Sequence, residues 1–252
     1  MKFNSWEFAI FFLIVWGVYL CLKRNPQNIW LLVASYFFYG WWDWRFCSLL
    51  AISTLTDYVC AILIGKSLQH EQNGEGEKYR KYVLFVSLSI SLGILGFFKY
   101  FNFFADSFAQ MITPFGFQPD LITLNIILPI GISFYTFQTM AYTIDVYRGK
   151  IKPCTNFVEF ALYVGYFPLL VAGPIERASN LIPQFAKDRN ITPEQFYSGV
   201  RLIFWGFFKK IFIADGVAPY VNDCFANPGI HNGPTLLIGA YLLGKSHRQV
   251  GQ

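Results

Sequence analysis

A succession of apolar runs almost free of charge restricts this chain more than any other feature of its sequence. Residues 6–22 carry one charge, Glu7, and end on Lys23-Arg24. Residues 29–42 carry none, residues 47–64 carry only Asp57, residues 82–98 and 124–144 carry none, and residues 157–173 carry only Glu159. Most of these runs approach the roughly 20 residues a helix needs to cross a hydrocarbon layer about 30 Å thick. The run 29–42 is short and relies on its Trp41-Trp42 flank, which suits a membrane interface. Hydrocarbon offers no water to backbone amides, so helices that satisfy their own hydrogen bonds are the expected spans. The alternation of polar and apolar residues that marks a membrane β-barrel is absent. Composition agrees: 14% of residues are charged and 54% apolar, against about 25% charged in an average soluble domain. The expected fold class is all-α, a polytopic transmembrane helical protein integral to a lipid bilayer.

The basic residues suggest an orientation. With the connections alternating between sides, one side receives Lys23, Arg24, Lys66, Lys78, Arg80, Lys81, Arg148, Lys150 and Lys152, and the other Lys2, Arg45 and Lys99. Basic loops stay on the cytoplasmic side, which predicts an external N-terminus and a cytoplasmic 65–81 loop. The net charge of +5 is thereby assigned to topology. A nucleic-acid partner is not expected, since no soluble face gathers the Lys and Arg residues. Residues 1–22 lack a small-residue cleavage site, so a retained first helix is expected rather than a signal peptide. Cys21, Cys47, Cys60, Cys154 and Cys224 have neither close pairing nor zinc-type spacing. His70, His231 and His247 lie in loops or at the end of the chain, and no metal site is expected.

Organisation along the chain is uneven. Residues 65–81 form the hydrophilic linker of the first half, with Asn73-Gly74-Glu75-Gly76 as its flexible tip. Residues 99–106, aromatic but mixed with Lys99 and Asp106, suit an interfacial segment, and residues 114–123 read as an external loop. No internal repeat is visible, which argues against a transporter built from inverted halves.

Polar chemistry concentrates between residues 128 and 210. Pro129-Ile-Gly-Ile-Ser133 brings a helix breaker and a flexible glycine to the start of a run that then carries Ser133, Tyr135, Thr136, Gln138, Thr139, Tyr142 and Asp145 and ends on Arg148. Gln138, Tyr142 and Asp145 fall at i, i+4 and i+7, on one helical face. Polar groups in a membrane helix face a bundle interior or a wet cavity. Two readings stand side by side: a polar tunnel wall, or interhelical hydrogen bonds that hold the bundle together. Phe167-Pro168 and Gly173-Pro174-Ile-Glu176-Arg177 interrupt the next run, and irregular backbone at that depth is tolerated only beside protein or a water-filled cavity. Glu176 and Arg177 could pair, bind an anionic group or be ordinary interfacial charges. Thr192 is placed to cap a helix with Pro193 at its first position and Glu194-Gln195 in its first turn. That helix, residues 193–212, has the apolar and basic composition of one lying along the cytoplasmic interface.

Pro129-Ile-Gly-Ile-Ser-Phe-Tyr-Thr-Phe-Gln138, Tyr142-Thr-Ile-Asp-Val-Tyr-Arg-Gly149 and Phe167-Pro-Leu-Leu-Val-Ala-Gly-Pro-Ile-Glu-Arg177 resemble the membrane-bound O-acyltransferase family. Ala34-Ser-Tyr-Phe-Phe-Tyr-Gly-Trp-Trp42 and Phe98-Lys-Tyr-Phe-Asn102 are similar to the opening part of its bacterial branch. That branch includes the membrane subunit of alginate O-acetylation and the D-alanine transferase of teichoic acid. The resemblance implies a ring of tilted helices around a tunnel in the bacterial cytoplasmic membrane. It also implies an acyl donor, acetyl-CoA or an acyl-carrier thioester, rather than a bound cofactor. The acceptor would be an exported cell-surface polysaccharide such as alginate, with a periplasmic or extracellular acyl-transfer partner protein. By the same resemblance Ser133, Gln138, Tyr142, Asp145, Arg148, Glu176 and Arg177 would line or shape the tunnel.

One departure from the family matters. Its members are usually much longer, and their invariant histidine, the general base for acyl transfer, lies in a part later than Leu243. His231 sits in the turn-rich stretch Asn227-Pro-Gly-Ile-His-Asn-Gly-Pro234. The apolar run 235–243 is about half the length of a span and is followed by Lys245-Ser-His-Arg-Gln-Val-Gly-Gln252. The expectation is therefore residues 1–243 as the N-terminal part of the family's domain, residues 244–252 as an aberrant hydrophilic tail, and no catalytic residue in this chain. The rival reading is a noncatalytic membrane fragment or scaffold. A transporter is a more distant one, since Asp57 and Glu159 alone do not form a row of intramembrane charges.

Overall fold

The computed structural model describes residues 3, 5–69, 75–112, 128–171, 173–226, 229 and 231–250. It resolves into two units, Met1–Asp188 and Arg189–Gln252. Every regular element among the described residues is helical.

The first unit opens on a helical hairpin. In α1 (Trp6–Cys21) the Ser5 side chain accepts from the Phe8 amide, and the chain turns at Leu22 in extended conformation. α2 (Arg24–Asp43) follows at once and supplies donors to its neighbour. Gln27 Nε2 donates to the Tyr19 carbonyl at 3.1 Å and Trp30 Nε1 to the Val15 carbonyl at 3.1 Å. Tyr19 lies in the last turn of α1, where carbonyls need partners from outside the helical ladder. Phe8, Phe11 and Phe38 close the hairpin against Phe167, with the Phe11 and Phe167 rings 5.3 Å apart, edge to face.

α3 (Arg45–Gln69) and α4 (Glu75–Ile112) are the helices whose length and apolar composition suffice to cross a membrane. Both reach further than the apolar runs indicate. Residues 65–69 belong to α3 and residues 75–81 to α4, so the 65–81 linker is mostly helical; its tip, Asn73-Gly74, lies outside the described residues. Residues 99–106 continue α4 without a break, and its 38 residues span about 57 Å at 1.5 Å per residue. The 114–123 loop lies outside the described residues.

α5 (Ile132–Tyr147) packs against α3 and α4. Residues 128–131, from the apolar run 124–144, precede it as turn, and residues 124–127 lie outside the described residues. Its C-terminus is a Schellman motif: Lys150 N donates to Asp145 O and Gly149 N to Val146 O, both at 3.0 Å, with Gly149 at φ +68°. The run 157–173 is divided. α6 (Phe157–Gly165) gives way at Tyr166 to the single turn α7 (Phe167–Leu170), because Pro168 has no amide to continue the ladder. α8 (Ala178–Ala186) completes the unit. Its last carbonyls are capped from α2: Asn28 Nδ2 donates to Phe185 O at 3.0 Å and Arg24 Nη1 to Ala186 O at 2.7 Å.

The second unit begins with α9 (Pro193–Phe208), where Thr192 and Gln195 form a reciprocal capping box behind Pro193. The helical run 193–212 changes register at its end: Lys209–Ala214 is π-helical, and α10 (Asp215–Ala226) follows. α11 (Gly233–Val250) packs on α10, where Gly239 comes so near that a Cβ there would sit 3.2 Å from Cys224 Cβ. The apolar run 235–243 thus continues as helix into the hydrophilic tail.

Candidate functional site

The centre of the first unit lies where α5 meets the broken pair α6–α7. Gly131 introduces α5 at φ +79°, and a Cβ there would lie 2.4 Å from the Leu170 carbonyl oxygen. A glycine is required by conformation and by space together. It lets the start of α5 touch the end of α7. α6 starts from Asn156, whose side chain accepts from the Val158 and Glu159 amides at 3.0 and 3.4 Å and donates to Glu159 Oε1 at 3.1 Å. Phe160 to Gly165 are buried on all sides. The break at Tyr166 frees the Phe167 amide, and Ser35 Oγ of α2 accepts it at 3.1 Å.

Tyr163 organises the polar side chains around that break. Gln138 Nε2 donates to the Tyr163 carbonyl at 2.8 Å, and the Tyr163 hydroxyl lies 3.2 Å from the carbonyls of both Gln138 and Glu176. Asp145 and Glu176 are within electrostatic reach of the same phenol, and the Tyr142 ring centroid is 6.2 Å away. Tyr142 accepts from the Cys154 amide at 2.8 Å. In this loop burial is the main influence on Cys154: it holds the thiol above its ordinary range, the Asn156 backbone opposes that rise, and Glu159 adds to it.

Four of the residues singled out from the sequence therefore converge: Gln138, Tyr142, Asp145 and Glu176. Gln138 and Tyr142 are buried and engaged with backbone, while Asp145 and Glu176 are half-buried. Asp145 lies 3.9 Å from Lys150 Nζ. Ser133 is half-buried in the first turn of α5, Arg148 is exposed at its C-terminus, and Arg177 is exposed at the start of α8. Glu176 and Arg177 form no ion pair with each other. The sequence does not mark Tyr163, because a tyrosine in an apolar run has no pattern that distinguishes a hub from packing. Tyr39 and Tyr135, by contrast, fall within the stretches that resemble the family. Tyr39 donates to Ile130 O at 3.0 Å, and the Tyr135 hydroxyl is buried beside it.

Two other features lie apart from this cluster. A groove of about 480 Å³ on α1 and α2, lined by Ile10, Ile14, Trp30, Val33 and Trp41, is apolar apart from Glu7 and suits hydrocarbon rather than chemistry. In the second unit His231 Nε2 sits 3.2 Å from Asp223 Oδ2, just before α11. His70 and the side chain of His247 lie outside the described residues. Among the described residues no group of His, Cys, Asp and Glu could hold a metal ion.

Long apolar helices, a helix pair broken at depth and a buried polar hub with its backbone groups satisfied by side chains define an all-α membrane protein. Residues 36–242 match the membrane-bound O-acyltransferase family, and the chain belongs to it. It is 40% identical to the probable alginate O-acetylase of Pseudomonas putida, over 90% of this chain and 45% of that protein. Identity to the corresponding Pseudomonas aeruginosa protein is 41%, over 90% of this chain and 42% of the relative. The peptidoglycan O-acetyltransferase of Helicobacter pylori is 31% identical over 89% of this chain and 46% of its own length. The chain thus spans less than half the length of these relatives.

Proposed function

We propose that this chain forms part of the helical wall of a bacterial membrane O-acyltransferase that transfers acetyl groups to an exported cell-surface polysaccharide, alginate being the favoured acceptor. The observation that carries this reading is the 40% identity to the Pseudomonas putida relative across 90% of the chain, a stretch that includes the Gln138–Tyr163 hub. Polar side chains at membrane depth face a cavity or one another. Ser133, Asp145, Arg148, Glu176 and Arg177 are the residues with solvent-accessible surface left to line a tunnel, while Gln138 and Tyr142 shape it from behind. The donor would be acetyl-CoA or an acyl-carrier thioester, reaching the tunnel from the cytoplasm. A periplasmic or extracellular partner protein would pass the acyl group to the polysaccharide. The basic loops favour an external N-terminus in the cytoplasmic membrane.

Acyl transfer needs a general base of near-neutral pKa at the reacting centre. Among the described residues His231 stands in a turn beside Asp223, and the family resemblance implies a histidine base in a part later than Leu243. The chain is therefore assigned the tunnel wall and not the base. The rival reading is a noncatalytic membrane scaffold.

A chimaera decides between them. Residues 1–243 of this chain replace the matching part of the Pseudomonas putida relative, in cells lacking that relative, and alginate acetyl content is measured. Restored O-acetylation supports the acyltransferase reading. A chimaera that reaches the membrane in normal amount and yields unacetylated alginate would sink it. Membranes holding the 252-residue chain alone are expected to show no acyl transfer, and turnover there would overturn the assignment of the base elsewhere.

A further inference from the structure

Hydrophilic ends of three segments meet at one end of the first unit. A Cβ on Gly65, near the end of α3, would lie 2.3 Å from Pro153 Cγ, so the loop between α5 and α6 rests directly on α3. Tyr58 of α3 holds the same loop by donating to the Thr155 carbonyl at 2.6 Å. Ser67 Oγ donates to the Gly76 carbonyl at 3.3 Å, which ties the end of α3 to the first turn of α4. Each contact has basic residues beside it: Lys66 next to Gly65, Lys152 next to Pro153, and Lys78 and Lys81 soon after Gly76. Arg148 and Lys150 belong to the same loop, and all six side chains are exposed.

Carboxylates do not balance them. Among the described residues at this end, Glu77 pairs with Lys81 at 2.6 Å and Asp145 lies 3.9 Å from Lys150, while Glu159 is buried and bonded to Asn156. Lys78, Arg148 and Lys152 have no ion pair among the described residues. The loop backbone is fixed by its turn at Gly149, by the Cys154 amide on the Tyr142 hydroxyl and by Ile151 packed on the core. It cannot carry the cations apart, and gathered like charges favour a shared anion.

Depth selects that anion. Lys66 follows the apolar run 47–64 by two residues, Lys81 immediately precedes the run 82–98, and Arg148 follows the run 124–144 by four. All three stand within about one helical turn of hydrocarbon, where long cationic side chains reach headgroup level. Phosphates fixed at that level belong to lipid, and the cytoplasmic leaflet supplies anionic ones. We propose that this patch binds the phosphate of an anionic phospholipid headgroup, with Lys66, Arg148 and Lys152 at its centre. The site is independent of acyl transfer and joins α3 to the loop that leads from α5 into α6.

The full chain in neutral detergent is titrated with phosphatidylglycerol or phosphatidylcholine, and bound lipid is counted by native mass spectrometry. Phosphatidylglycerol should bind at least about tenfold more tightly. One cation near an anionic lipid is worth about fivefold in binding, so Arg148→Gln with Lys152→Gln should lose about 25-fold and Lys66→Gln alone about fivefold. Arg45→Gln with Lys99→Gln removes the same charge elsewhere and should leave binding unchanged. Melting temperature checks that each variant is folded, and Lys66→Gln carries the test if the double variant is not. Equal affinity for the two lipids, equal losses in the two double variants, or an unaffected Lys66→Gln would overturn the proposal. So would coenzyme A displacing phosphatidylglycerol at a lower concentration than the lipid itself requires, which would give the patch to a dissolved phosphate compound.

Discussion

Gln138 and Tyr163 are tied twice, side chain to backbone in both directions. The Gln138 amide donates to the Tyr163 carbonyl at 2.8 Å, and the Tyr163 hydroxyl donates to the Gln138 carbonyl at 3.2 Å. The tie crosses from α5 to α6 at a place where both residues are buried. It holds the broken helix pair to the intact α5.

Removing a donor from that tie takes the bond from its own acceptor. Gln138→Leu fills similar space but strands the Tyr163 carbonyl, and a buried unsatisfied group costs about 1–3 kcal/mol. Tyr163→Phe removes a donor shared by two carbonyls, Gln138 and Glu176, and should cost a similar amount. Because the two residues share one network, the double variant should be less destabilised than the sum of the singles. Thermal unfolding of the reconstituted chain measures all three. Strict additivity would contradict the coupling.

Two glycines have the same sign of φ and different surroundings. Gly131 would press a Cβ against the Leu170 carbonyl at 2.4 Å, while Gly149 opens on empty space. Gly149→Ala should cost only the left-handed backbone penalty, roughly 1–2 kcal/mol. Gly131→Ala adds an overlap with fixed backbone and should cost clearly more, or prevent folding. Expression yield and melting temperature of the two variants give the order, and equal effects would refute the close approach of α5 to α7.

Spans and caps were legible because they rest on local rules. Apolar runs, Thr192 before Pro193, and the Pro129–Gly131 breaker each announce their structure within a few residues. The interior of the bundle was less legible. Tyr163 and Ser35 act on backbone carbonyls and amides distant in sequence, and no residue pattern marks a carbonyl as available. Residues 99–106, a charge amid aromatics, gave no sign that they continue α4, where Lys99 holds its ammonium 5.5 Å from the Tyr100 ring, as long cationic side chains can. The polar face of α5 left tunnel wall and interhelical bonding equally open. Gln138 makes an interhelical bond to α6, and Tyr142 bonds the Cys154 amide of the loop between α5 and α6.

Ser35 carries the break between α6 and α7. Its hydroxyl accepts from the Phe167 amide at 3.1 Å and donates to the Leu31 carbonyl at 2.7 Å. Ser35→Ala should cost about 1–3 kcal/mol, the penalty of an orphaned buried amide. Hydrogen exchange at Phe167 gives the specific readout: the amide should lose protection in Ser35→Ala while amides within α3 keep theirs. Unchanged protection at Phe167 would show that another acceptor serves the break.

Cys154 reports on the loop that carries α5 into α6. Burial, reinforced by Glu159, raises its thiol pKa, and only the thiolate reacts with a maleimide. The deprotonated fraction therefore grows later with rising pH than for an ordinary thiol, and the midpoint of labelling should lie above the usual cysteine range near 8.5. The loop is pinned where the Cys154 amide donates to the Tyr142 hydroxyl at 2.8 Å. Tyr142→Phe removes that acceptor, so the loop should loosen, expose the thiol and bring the midpoint down toward the ordinary value. A pH series of maleimide labelling, read by mass spectrometry at Cys154 in the parent chain and in Tyr142→Phe, tests both steps. A midpoint at the ordinary value in the parent would remove the first, and an unmoved midpoint in Tyr142→Phe would remove the second.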